Sequence, residues 1–70
     1  MNRDELARNI KHIDRALDKM AEAAFNMHET NDWVAHAALV TLEGMMDDLG
    51  DRLVELRNIR DVMDKIRRDK

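Results

Sequence analysis

The chain has 70 residues, a formal net charge of −3, 39% charged and 44% hydrophobic residues, two glycines, and neither proline nor cysteine. That length allows one small domain, and the lack of cysteine excludes disulfides and thiolate metal sites together. A core of this size supplies about 3–5 kcal/mol, so self-association is the expected staple.

From the N-terminus, apolar residues stand at Leu6, Ile10, Ile13, Leu17, Met20, Ala24 and Met27, in alternating steps of four and three. This is an unbroken heptad seam, and it predicts a helix over about 3–28. Asn2 or Arg3 begins it, and Asp4 and Glu5 suit the positive end of its dipole. Met1 leads directly into Asn2-Arg3-Asp4-Glu5, which is no hydrophobic signal region.

His28-Glu29-Thr30-Asn31-Asp32 is the polar cluster that gathers several capping residues, so the chain turns at about 29–32. A second seam then runs through Ala35, Leu39, Leu42, Met46, Leu49, Leu53, Leu56, Ile59, Met63 and Ile66, with one irregular step near Ile59. It predicts a helix over about 33–67, ending in the basic turn of Arg67, Arg68 and Lys70. Gly44 and Gly50 are places where this helix can kink or split. The seam keeps its phase past both, which favours a continuous or kinked helix.

The expected fold is therefore all-α. It is a two-helix antiparallel hairpin of about 39 Å and 52 Å arms, in which the second overhangs the first. Val62, Met63 and Ile66 find no partner inside such a hairpin. A second copy, laid antiparallel, would complete a four-helix bundle, with Leu17, Met20, Leu42, Met46, Leu49, Leu53, Leu56, Met63 and Ile66 as core and dimer residues. No apolar run approaches the ~18 residues of a membrane span, so a soluble, cytoplasmic protein is expected.

Charge is distributed unevenly. All twelve Lys and Arg lie outside Met20–Asp51, which carries −7, while the two flanks together carry +4. Glu43, Asp47, Asp51 and Glu55 follow one another at i, i+4, where each like-charge contact costs about 0.2–0.5 kcal/mol on a helix. Asp48 with Arg52, also four apart, offsets part of this. Asp4–Arg8, Asp61–Lys65 and Asp64–Arg68 are favourable spacings elsewhere. One reading of the ladder is a solvated face kept for solubility. The other is a ridge shaped for a basic surface, with carboxylates stepping ~6 Å along the axis, on the scale of phosphates in a nucleic-acid strand. Glu43, Asp47, Asp48 and Asp51 are its candidate contact residues. Trp33 is either a staple over the hairpin end or an exposed hot spot beside Asp32.

Other constellations say less. His12, His28 and His36 form no HExxH motif, and the turn separates the last two, so no metal or cofactor is expected. Thr30 and Thr41 are the sole hydroxyl side chains, and an exposed carboxylate ridge lacks the desolvation that tunes general acids, so no catalysis is expected. Phe25 lies off the seam, against a dimer mate or facing outward. Of the adjacent Met45 and Met46, one at most sits fully on the seam; Met45 is the candidate to line a partner's groove. The basic end, including Arg57 and Arg60, lacks stacking aromatics or helix-turn-helix spacing and is a weak nucleic-acid signal.

Over its whole length, in size, hairpin order and acidic charge, the chain resembles the phage-encoded anti-activators of Pseudomonas quorum sensing. That resemblance implies a dimer in the host cytoplasm that binds the DNA-binding domain of a transcription activator. The layout is also similar to the Rop-type RNA-binding hairpin dimers, which implies nucleic-acid binding instead. A coiled-coil adaptor using the Val62–Ile66 overhang is a third expectation.

Overall fold

The computed structural model describes residues 1–68, with side chains through residue 67. It holds two helices, α1 (Arg3–His28) and α2 (Trp33–Arg68), folded back on each other as an antiparallel hairpin. The rod measures 57 × 16 × 15 Å. No helix is long and apolar enough to cross a membrane.

Local chemistry fixes both ends of α1 and the start of α2. Asn2 caps α1: its Oδ1 accepts from the Glu5 backbone N–H at 2.8 Å, satisfying one of the orphan donors of the first turn. At the other end, the Thr30 hydroxyl donates to the Met27 carbonyl at 3.0 Å. Asp32 then opens α2 by accepting from the backbone N–H groups of Val34 and Ala35 at 2.8 and 3.2 Å. His36 Nε2 lies 2.7 Å from the Thr30 carbonyl, so this nitrogen carries the proton and donates across the turn. With Glu29 ending α1, the reversal occupies residues 29–32.

α2 passes both glycines without interruption, and neither adopts a positive φ. A Cβ built on either would meet nothing within 4 Å, so no close approach demands glycine in the protomer.

The seam closes tightest at the end away from the turn. Leu6, Ile10, Leu53 and Leu56 form the buried cluster, with Leu6 and Leu56 only 1% and 2% exposed. Ile13, Leu17 and Met63 pack against it. Towards the turn, Leu39 is buried, whereas Met20, Ala24, Met27, Ala35, Leu42, Met46 and Leu49 are half-buried.

Several expectations are corrected. The seam of α2 runs from Leu56 to the half-buried Arg60 and on to Met63, a four then a three, leaving Ile59 and Ile66 exposed beside it. An arginine occupies a seam position by laying its aliphatic stem along the helix while its head reaches water. Met63 does have partners in the hairpin, and Arg3 reaches Asp64 Oδ1 at 2.7 Å, so α1 covers more of α2 than helix lengths alone suggest. Arg52 pairs with Glu55 at 2.9 Å, and no ion pair joins it to Asp48. Neither Asp4–Arg8 nor Asp61–Lys65 forms among the described residues; Asp61 lies 3.6 Å from Arg60 instead. The Arg68 side chain and Lys70 lie outside the described residues.

Candidate functional site

The middle of α2 gathers the acids on one stretch of uninterrupted helix. Glu43, Asp47, Asp48 and Asp51 are all exposed, and none is joined to a Lys or Arg among the described residues. Of the acidic ladder, only Glu55 acquires a cation. At 100° per residue, Glu43 and Asp47 flank the seam on one side, while Asp51 and Asp48 continue around the back of the helix. The ridge thus winds over the surface of α2 that faces away from α1.

Some of the cations that the sequence places at the ends are occupied locally, whereas Arg8, Lys11, Arg15, Lys65 and Arg67 are exposed and form no ion pair among the described residues. Arg3 holds Asp64, Arg57 lies 3.8 Å from Asp14, and Arg60 lies beside Asp61. Asp64 Oδ1 is shielded from water and gets no hydrogen bond of good geometry among the described residues, where the Arg3 guanidinium compensates it at 2.7 Å. The basic end therefore mixes paired and open cations with interleaved acids, and the acidic middle is a run of one sign.

Trp33 is 80% exposed, which overturns its use as a staple over the hairpin end. The reason is helical phase: Trp33 precedes the seam residue Ala35 by two positions, or roughly 200° around the helix, and so points away from α1. It stands with exposed Val34 at the rim of the acidic stretch, next to the capping Asp32. Phe25 is likewise exposed, beside a shallow open depression formed with Asp18, Ala21, Glu22 and Asn26. Met45 is exposed and Met46 is half-buried on the seam.

Among the described residues, no three His, Asp or Glu side chains converge as a metal cluster. His36 serves the turn, a role that sequence reasoning missed. The signal was its position four residues after Asp32, one helical turn above the loop it clamps.

Compared with known proteins, the chain matches no family model, no curated protein sequence and no solved structure.

Proposed function

We propose that this chain is a non-enzymatic regulator or inhibitor that offers the acidic middle of α2 to a basic protein surface. The DNA-binding domain of a transcription regulator is the kind of surface it suits. The observation that carries this reading is the uncompensated run of Glu43, Asp47, Asp48 and Asp51 on a continuous helix, in a chain with twelve basic residues elsewhere. A ridge of one sign focuses field on its target and speeds encounter, and it competes with nucleic acid for the same basic face. Trp33 adds an exposed aromatic anchor about 15 Å along the axis from Glu43. The resemblance to phage anti-activators points the same way, with homodimerisation and a place in the (host) cytoplasm as parts of the proposal.

The pairing of Arg3, Arg57 and Arg60 with Asp64, Asp14 and Asp61 weighs against the Rop-like alternative, because phosphate would have to displace a carboxylate at each.

A pull-down from bacterial lysate, with wild type beside the Asp47→Lys, Asp51→Lys variant, tests the proposal. Capture should be lost in the variant with helical content unchanged, and wild-type capture should weaken as salt rises through the Debye-screening range. Equal capture by both proteins would remove the ridge from the account.

A further inference from the structure

α2 carries a second heptad stripe, one residue behind the seam that grips α1. It begins with Val34, Ala38, Thr41 and Met45 and ends with Ile59, Val62 and Ile66; between them stand Asp48, Arg52 and Glu55. Steps of four and three alternate without a break along all of it, yet every one of these side chains is exposed. Being one residue back, the stripe faces about 100° away from α1, the direction in which a bundle helix meets its second neighbour. The inter-helix ion pairs Arg57–Asp14 and Arg3–Asp64 use α2 residues one step after the seam, on the opposite flank. On α1, the stripe sharing this face is polar apart from Ala16 and Ala23. The apolar surface therefore belongs to α2.

We infer that a second copy of this chain docks antiparallel along this stripe, α2 on α2, with the two-fold axis passing level with Gly50. Gly50 is the midpoint of the stripe from Val34 to Ile66, so centring the axis there overlaps the two stripes along their whole length and sets residues equidistant from Gly50 against each other. Val34 meets the partner's Ile66, Ala38 the partner's Val62, and Thr41 the partner's Ile59. At the centre, Asp48 meets the partner's Arg52, twice by symmetry. Arg52 holds Glu55 through one nitrogen, Nη1, leaving the rest of its fork for that carboxylate. Parallel docking would instead set Asp48, Arg52 and Glu55 each against its own copy, three like-charge contacts at the axis.

The surface area agrees. The protomer exposes 5554 Å², whereas a compact monomer of 8.2 kDa exposes about 4,500 Å². The surplus of about 1,000 Å² matches the ~800 Å² that each partner contributes to a stable interface. This inference gives the proposed homodimer its surface and register, and it reassigns Asp48 from the ridge to the axis. It makes no use of Glu43, Asp47 or Asp51.

Sedimentation equilibrium with circular dichroism provides the test. Wild type should sediment at twice the 8.2 kDa chain mass. Val62→Asp with Ile66→Asp should sediment as a monomer of unchanged helicity, since both side chains are already exposed in the protomer. A monomeric wild type, or a dimer indifferent to these aspartates, overturns the inference. Asp48→Arg should weaken association about tenfold, and adding Arg52→Asp should restore it; failure of the swap to restore overturns the axial pairing. Because the chain has no cysteine, Ala38→Cys with Val62→Cys should oxidise to a covalent dimer, whereas Ala38→Cys alone should not. Cross-linking by the single variant would mean parallel docking and overturn the register. Partner capture by Asp47→Lys, Asp51→Lys is read separately, so failure of either idea leaves the other standing.

Discussion

At the end of the rod that holds Leu6, Ile10, Leu53 and Leu56, the two helices close over branched aliphatic side chains, and the ion pairs Arg3–Asp64 and Arg57–Asp14 stitch them together. Towards the turn, the seam holds one buried residue, Leu39, among the half-buried Met20, Ala24, Met27, Ala35, Leu42, Met46 and Leu49, and no ion pair crosses between the helices among the described residues. There, hydrogen bonds of the loop replace packing: Asp32 onto two backbone N–H groups, Thr30 onto Met27, and His36 onto Thr30. Tight packing and unpaired acidic charge are thus separated along the rod. One end contributes burial and inter-helix ion pairs; the other leaves carboxylates and an indole in water.

This contrast can be broken most forcefully at Leu56. Leu56→Ala should cost about 3 kcal/mol, enough to unfold most of so small a chain, whereas Leu42→Ala at a half-buried site should cost about half as much. Urea titrations of the two variants followed at 222 nm would show it, and equal losses would erase the distinction. Asp32→Ala removes the acceptor of two backbone bonds and should cost about 1 kcal/mol, with amide exchange quickening first around residues 29–36. Gly44→Ala should add up to about 1 kcal/mol, because the position is helical and its Cβ enters open space. Asp47→Lys should raise the melting temperature, because two like-charge contacts at i±4, each costing about 0.2–0.5 kcal/mol, become attractions of similar size, about 1 kcal/mol in all. A variant that stabilises the helix while losing its partner would show that the ladder is held at some expense to the fold. Arg3→Ala should cost less than about 1 kcal/mol, since the pair it breaks is partly exposed.

Much of the hairpin was legible in the residues themselves. The four–three spacing of α1 places the residues that face α2, and the cluster Thr30-Asn31-Asp32 has no other role as natural as a helix end. The seam of α2 was legible as far as Leu56. Beyond it, hydrophobicity favoured Ile59 and Ile66, while the unbroken phase pointed to Arg60, whose stem is apolar though its head is not. Trp33 was harder to read, because a large aromatic beside a turn suggests a staple, and only its phase relative to Ala35 turns it outward. The pairing of Arg52 depended on rotamer choice between two carboxylates, Asp48 and Glu55, which spacing alone leaves open. The acidic ridge was visible as composition from the start. What its sequence did not reveal is that Arg3, Arg57 and Arg60 would be taken up by Asp64, Asp14 and Asp61, and that no cation would reach Glu43, Asp47, Asp48 or Asp51 among the described residues.

The lone tryptophan also determines how the molecule can be watched. Trp33 is bathed in solvent in the native state, so its emission should sit near that of free indole and barely change when urea melts the helices. A fluorescence melt would then report a protein with no transition, although its ellipticity collapses. The same residue becomes a clean optical beacon for docking, since any blue shift would signal that another molecule has covered the bend.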